Sequence, residues 1–349
     1  MTIERRKRIC VLAVCGIFLL AFGAHEACSA PSDWPKSMSF PSGRVGTSVY
    51  SVVIGMSDLI TKYTGVKTVP EGGSTTKNLI LLHKKNAELG LGYNDTAYFA
   101  VRGQGEFKEY GKINIRLLFS NGAPTPFAFI TRRDANIRSV TDLKGKPVMC
   151  IYPPSITFTT GANMLFEAEG MSQADVKAVS FSGNQEGSTA LKEKRVAGYI
   201  HVQTLNSVMP FLQELNNEVP VRLVSAPEEK LDRVLPKYPY FKKAVLPEKA
   251  YGELTDKKDL VGVGSVDVML ARGDLPDDLV YAVMKAIFDH VEELLPVHPI
   301  AKPWISDPLS TTVLPYHAGA IRYYKDKGMW TDQMEKKQKE LLTEVGLSK

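Results

Sequence analysis

The chain has 349 residues, 44% of them hydrophobic and 23% charged, and a formal net charge of +5. That length accommodates one large or two medium domains, and the composition is that of a folded protein with a substantial apolar core. Outside the N-terminus no Lys/Arg cluster occurs, and no zinc or RNA-binding signature is present, so nucleic acid is not an expected partner.

Along the chain, Arg5, Arg6, Lys7 and Arg8 precede an uncharged stretch from Ile9 to Ala24, and Ala27-Cys28-Ser29-Ala30 then supplies small residues. This is the three-part layout of a secretory signal peptide over residues 1–29, cut after Ser29 or Ala30, and it implies export to the periplasm. An uncleaved anchor is the alternative, although an apolar run of about 16 residues is short for a spanning helix. Removal of the segment takes Cys10, Cys15 and Cys28 with it, leaving Cys150 and no internal disulfide. A large exported domain folds without one. No other segment has 18 consecutive apolar residues.

The body alternates short apolar runs with amphipathic patterns. Strands are predicted at 89–93, 116–119, 127–131, 148–151, 176–181, 198–202, 221–224 and 266–271. Val49, Val52, Val53, Met56, Leu59, Ile60 and Tyr63 recur at helical spacing, and a second helix is predicted from Leu279 through Val291 to Leu295. Pro276, Asp277 and Asp278 open that helix, with acidic groups where the macrodipole favours them. The alternation predicts an α/β fold with largely parallel sheets. No linker divides the chain, so two domains would share it through crossing strands, with 126–132 and 266–272 as the candidates.

Catalytic motifs are missing. His83, His201, His290, His298 and His317 fall in no metal-binding spacing, and there is no nucleophile elbow, P-loop or complete dinucleotide fingerprint. Cys150 reads as a buried strand thiol, and His290 as a partly exposed helix residue. No catalytic residue, cofactor or metal is therefore expected. An enzyme remains the rival reading, with Asp95 and His201 as the titratable pair to examine. A ligand-sensing partner of a membrane signalling receptor is a third.

Three polar turns precede helix patterns: Ser42-Gly43-Arg44-Val45-Gly46-Thr47-Ser48-Val49-Tyr50, Gly72-Gly73-Ser74-Thr75 leading to Asn78, and Pro153-Pro154-Ser155-Ile156-Thr157-Phe158. Helix N-termini leave backbone N–H groups unpaired and carry partial positive charge, so three of them facing one cleft would hold a carboxylate. Capping alone would account for the same residues.

These turns, with Asn94-Asp95-Thr96-Ala97-Tyr98, Ser139-Val140-Thr141-Asp142-Leu143-Lys144-Gly145-Lys146, the segment from Asp267 to Leu279 and Leu314-Pro315-Tyr316-His317-Ala318-Gly319-Ala320, resemble in order the TAXI family of TRAP-transporter solute receptors. The resemblance runs from about Ser39 to Trp330. It implies a type II periplasmic-binding-protein fold, two α/β lobes joined by two crossing hinge strands. Lobe I would comprise 30–128 and 266–349, and lobe II 129–265. The implied ligand is a small organic anion, a carboxylate or amino acid, handed to TRAP-type membrane permease subunits. One wall of the site would hold Gly46, Thr47, Ser48, Tyr50, Gly73, Ser74, Thr75, Asn78, Asn94, Asp95 and Tyr98. The other would hold Ser155, Thr157, Phe158, His201 and Gln203. Arg44 is a candidate bidentate carboxylate contact. The sequence departs from the family in the second lobe: both glycines of its Pro-Gly-Ser-Gly-Thr turn are replaced, and Phe158 stands where a ligand-binding Thr is expected. Recognition there is expected to rest on side chains, with an aromatic wall.

Overall fold

The computed structural model describes residues 31, 33–311 and 313–346; the expected signal segment, with Cys10, Cys15 and Cys28, lies outside the described residues. The chain opens with β1 (Ser37–Pro41), α1 (Ser48–Thr64), β2 (Lys67–Glu71), α2 (Thr75–His83), β3 (Leu89–Tyr93), α3 (Asn94–Arg102) and β4 (Ile115–Ser120). It continues with β5 (Thr125–Arg132), β6 (Pro147–Ile151), α4 (Ile156–Ala168), β7 (Lys177–Ser180), α5 (Asn184–Lys192), β8 (Gly198–Val202), α6 (Pro210–Glu218) and β9 (Val221–Val224). α7 (Glu228–Val234), β10 (Lys242–Leu246), α8 (Glu248–Tyr251) and β11 (Leu260–Ser265) follow. The last part is β12 (Asp267–Arg272), α9 (Asp277–Phe288), α10 (Val291–Leu294), α11 (Ala301–Ser306), α12 (Ala318–Asp326) and α13 (Asp332–Val345).

Local chemistry sets these elements. In α1 the apolar stripe Val52, Val53, Met56, Leu59 and Ile60 is buried, Thr47 caps the start by accepting from Tyr50 N–H, and Gly65 ends it in the left-handed region (φ 73°). β5, central in its sheet, and β4, at a sheet edge whose outer side is covered by Pro315, Tyr316 and His317, are buried nearly throughout.

The two sheets repeat one topology. β1 pairs with β2 in parallel, and the Glu88 N–H donates to the Ser39 carbonyl at 3.3 Å, which lays β1 beside the start of β3. β12 runs antiparallel between β3 and β4, so the order is β2-β1-β3-β12-β4. In the second sheet β7 and β8 flank β6 in parallel, and β5 runs antiparallel between β8 and β9, giving β7-β6-β8-β5-β9. Each sheet is a run of βα units with one strand from beside a crossing inserted before its last member. β10 and β11 extend the second sheet, β11 touching β5 at Gly264–Pro126 and Ser265–Thr125.

The apolar side chains form two cores. One gathers residues from Met38 to Phe119 and from Val266 to Val345, the other from Phe127 to Val263. The chain passes between them twice, from β4 to β5 and from β11 to β12, and Thr125 Oγ1 donates to the Ser265 carbonyl at 3.2 Å where the two crossings meet. This is the expected two-lobed α/β architecture with paired hinge strands, but the sheets are not largely parallel as expected, because β5 and β12 at the crossings, with β10 and β11, pair antiparallel with their neighbours.

Two sequence expectations need correction. Strands β1, β2, β10 and β11 carried no clear signal: β2 has Pro70 inside it and β11 is punctuated by Gly262 and Gly264. The helix predicted through Leu295 breaks after Phe288, where His290 adopts φ −130°. There the Asp289 carboxylate accepts from the Tyr323 hydroxyl (3.0 Å) and pairs with Lys327 (2.8 Å), while His290 stacks on Tyr63 at 3.4 Å. Those contacts override an apolar spacing that runs on past the break.

Candidate ligand-binding site

In each sheet the parallel strands end at the side where the two cores face each other, and helices begin there. α2, α3, α4 and α5 have no hydrogen bond from the side chain of the cap residue to their first turn. Their N-terminal donors are therefore free of side-chain caps, and the capping hydroxyl of Ser155 is turned elsewhere. Thr75 Oγ1, at the start of α2, donates to Ser155 Oγ, before α4, at 3.1 Å. One turn deeper, Thr157 Oγ1 donates to Asp95 Oδ1 (3.1 Å) and lies 2.9 Å from Thr96 Oγ1. Ser265, on the hinge, donates to the same Asp95 oxygen at 2.8 Å. Asp95, Thr96, Thr157 and Ser265 are fully buried. The sequence-predicted Thr75, Asp95, Ser155 and Thr157 thus converge from both cores.

Asp95 has acquired hydroxyl partners and kept one bare oxygen. Among the described residues its Oδ2 has no hydrogen-bond partner. Burial pushes the carboxyl up to about 6, against the Ser265 and Thr157 hydroxyls and the N–H groups of Asp95 and Thr96, which favour the charged form. Gln203, just past β8, is also fully buried, and neither end of its amide is partnered among the described residues. Its backbone N–H donates to the Pro126 carbonyl at 2.8 Å. Pro126 pairs on its other edge with Gly264, so Gln203 and Ser265 sit on neighbouring rungs either side of β5.

His201 belongs to an aromatic wall. Phe158, Tyr199 and Phe211 surround it edge-on, and Tyr152 packs against Phe158 at 4.6 Å. Its Nδ1 donates to the Val202 carbonyl at 2.5 Å, and its Nε2 lies 2.6 Å from the Asn184 amide. Since a carbonyl only accepts, Nδ1 carries the proton; a neutral ring then accepts at Nε2, which requires the Asn184 amide to present its NH2 there in place of Oδ1. Burial lowers the imidazole to about 4, the Val202 contact opposing in part. Asp95 and His201 therefore have separate partners and do not form a pair.

The remaining predicted residues are divided. Gly46, with φ 85°, Thr47 and Ser48 form an exposed rim, with Tyr50 half-buried behind it. Arg44 is exposed, but its Nη2 donates across to the Ser182 carbonyl at 3.1 Å. Gly73 lets the chain run against Asn78, whose Nδ2 donates to the Ser42 and Leu91 carbonyls at 2.8 Å each, so Asn78 ties the turn to β3. Ser74 is half-buried at the start of α2. Asn94 donates to the Tyr240 carbonyl (2.9 Å) and accepts from Thr311 (3.0 Å), bridging the cores. Tyr98 is covered by the Arg102 guanidinium at 3.6 Å and packs on Tyr240. Sequence reasoning missed Thr96, Ser265, Asn184 and Tyr152. Thr96 lay inside a quoted motif; the neighbours of Ser265 are revealed only by the chain crossings, and Asn184 meets His201 between the consecutive elements α5 and β8. Cys150 is a buried thiol in β6, pushed by burial to about 11.

Repeated βα sheets joined by paired crossings, with polar helix starts meeting between them, define the architecture of the type II periplasmic binding proteins. The chain belongs to the NMT1-like family, whose model matches residues 40–328. Among solved structures it is similar to a putative periplasmic sulfonate-binding protein SsuA of Methylobacillus flagellatus KT, at 14% identity over 90% of this chain and 96% of that one, with a TM-score of 0.50. It is also similar to the periplasmic aliphatic sulphonate binding protein SsuA of Escherichia coli, at 14% identity over 90% and 94%, with a TM-score of 0.46. At such identities the likeness concerns the fold.

Proposed function

We propose that this protein is an extracytoplasmic solute-binding protein that captures a small carboxylate or amino acid by closure of two lobes and releases it unaltered. The observation that carries the reading is the meeting of α2 and α3 with α4 beside the two crossings, made by Thr75, Ser155, Asp95 and Thr157. Beside the packing of Tyr98 and Phe99 on Tyr240, these contacts between the cores are polar. Such hydrogen bonds are worth about 1 kcal/mol each in net terms, so closure is finely balanced and a solute touching both walls tips it.

The lobes we assign are 30–128 with 266–349, and 129–265. The solute-facing residues are the uncapped starts of α2 and α4, the rim at Gly46, Thr47 and Ser48, and the second wall of Phe158, His201 and Gln203. We assign Arg44 a carboxylate contact at the rim, where it would exchange its bond to the Ser182 carbonyl for the solute. The resemblance to TAXI receptors supports delivery to a TRAP-type, ion-coupled permease, and the signal-like N-terminus supports a periplasmic location. The separate partners of Asp95 and His201 favour binding over catalysis.

The test is a thermal-shift screen of organic acids and amino acids, followed by small-angle scattering with each hit. A solute that binds the native chain raises its melting temperature, and the scattering is expected to show compaction. Hits that leave the radius of gyration unchanged, or that are consumed, would sink the reading.

A further inference from the structure

We propose that residues 238–242 of the second core, seated on α3 of the first, form a third joint between the lobes, one that stays engaged while the rim opens and shuts; this rests on the lobe-closure reading above. The chain itself passes between the cores twice, and this third contact is non-covalent. Asn94 is its positioning residue. The Asn94 backbone N–H donates to the carbonyl of Val266, on the return crossing, at 3.0 Å. Its side-chain amide donates to the Tyr240 carbonyl at 2.9 Å and accepts from the Thr311 hydroxyl at 3.0 Å. Asn94 is 1% exposed, so an amide expected on the solute wall is engaged by a crossing, by the second core and by the first at once.

Around that amide the contact is aromatic. Tyr240, itself buried, packs on Tyr98 and Phe99 with ring centroids 5.0 and 5.2 Å apart, and Phe99 and Val313 lie against both cores. Arg102 covers Tyr98 at 3.6 Å and is anchored to Glu344 at 2.8 Å, which fixes that ring from behind. The rim is held differently, by the exposed Arg44 on the Ser182 carbonyl and by the Thr75 and Ser155 hydroxyls. Parting the rim exchanges hydrogen bonds with water. Parting the joint would also expose rings and strand a buried amide, so the rim yields first. The joint also lies where rotation asks little of it. Lys242 pairs with Gly264 and Gly264 with Pro126, so the end of the segment shares a row of the sheet with both crossings. Groups beside an axis of rotation move least, and hinge closure turns about a few such residues.

The experiment compares hydrogen exchange in the full chain carrying Thr75→Cys and Ser155→Cys, oxidised and reduced. The two hydroxyl oxygens lie 3.1 Å apart, close enough for thiols placed there to join, and Cys150 is buried. Chains with only one of the substitutions control for other thiols. Oxidation is expected to slow exchange at residues 73–78 and 153–158 by about 10-fold or more, and to leave residues 98–102 and 238–242 within about twofold. Slowing of all four segments together would overturn the joint while leaving lobe closure intact. Slowing of none would remove both, since the reduced lobes would then not part. A second arm needs no crosslink. Asn94→Ala is expected to quicken exchange about 10-fold at residues 238–242 and at 73–78 alike, because a loosened pivot frees the rim, whereas Thr75→Val quickens the rim alone. Asn94→Ala that leaves the rim unchanged, or Thr75→Val that quickens residues 238–242 equally, would overturn the inference.

Discussion

The two walls of the crevice come from the same topology and have opposite characters. α1 and α2 on the first wall correspond in strand order to α4 and α5 on the second. On the first wall the chain enters its helices through Gly43, Gly46, Gly72 and Gly73, leaving backbone and small hydroxyls at the surface. On the second it enters α4 through Pro153, Pro154 and Ser155, and rings crowd behind: Tyr152, Phe158, Phe181 and His201. The first wall is built to let something approach its backbone. The second is a packed surface whose shape is set by side chains, and discrimination among solutes by shape is expected to reside there.

The largest effect is expected from emptying the packed wall. Phe158 is 8% exposed and touches Phe127, Tyr152 and His201. Phe158→Ala is expected to cost about 3–4 kcal/mol of stability, the transfer loss plus the cavity left behind. Urea unfolding would measure it, and a loss below about 1 kcal/mol would mean that the wall repacks freely.

The same contrast explains what was legible in sequence. The first wall announces itself through Gly46, Gly73 and Asn78, because glycine marks close approach of backbone and a local turn sets the geometry. The strands with strong apolar patterns, such as β4 and β8, were equally plain. The floor was only half legible. Asp95 was visible within a motif, but its partners Thr157 and Ser265 lie 62 and 170 residues away in sequence. Nothing local distinguishes those hydroxyls from any others; only the double crossing brings them to one carboxylate. Likewise the repeat of β2-β1-β3-β12-β4 in β7-β6-β8-β5-β9 left no trace as a sequence repeat, since burial pattern and loop length suffice to specify each sheet.

The buried titratable groups sharpen the comparison through pH. His201, on the packed wall, is held near 4 against an ordinary 6.5, so below pH 6.5 the unfolded chain takes up a proton that the fold refuses. Stability is lost as pH falls through that window, by up to about 3 kcal/mol. Asp95, on the floor, has the opposite sign. Its fold value near 6 exceeds the ordinary 3.8, so the folded chain holds the extra proton and stability is gained on acidification over nearly the same range. His317, lowered to about 4, adds to the first effect, and Asp267, raised to about 7, adds to the second. The wild type is expected to change little between about pH 7 and about pH 5, with larger shifts uncovered by single replacements. His201→Gln is expected to gain stability on acidification, and Asp95→Asn to lose it. Urea midpoints at the two pH values check this; identical slopes in all three proteins would refute it.

A smaller effect separates two adjacent glycines of the first wall. A Cβ at Gly73 would fall on the Asn78 amide and 3.1 Å from the Ser42 carbonyl, disturbing a side chain that holds two backbone oxygens. Gly73→Ala is expected to cost about 2 kcal/mol. A Cβ at Gly72 meets chiefly Val45, which is 72% exposed and free to turn aside, so Gly72→Ala should fall within about 0.5 kcal/mol of wild type. Equal losses at both positions would show that the turn is constrained by something other than Asn78.

The smallest effect joins the two walls. Thr157→Val keeps the volume and removes the hydroxyl that reaches Asp95 (3.1 Å) and Thr96 (2.9 Å). Ser265 then remains as the one hydroxyl on that carboxylate. The expected loss is about 1 kcal/mol at neutral pH, where Asp95 is charged, and it should shrink once acid protonates the group. A double-mutant cycle with Asp95→Asn isolates this contact from any general effect of valine in α4. Because the bond spans the two cores, its removal should also widen the unliganded chain in scattering. A Thr157→Val chain equally stable and equally compact would mean that Asp95 and Thr157 meet only when a solute has already drawn the walls together.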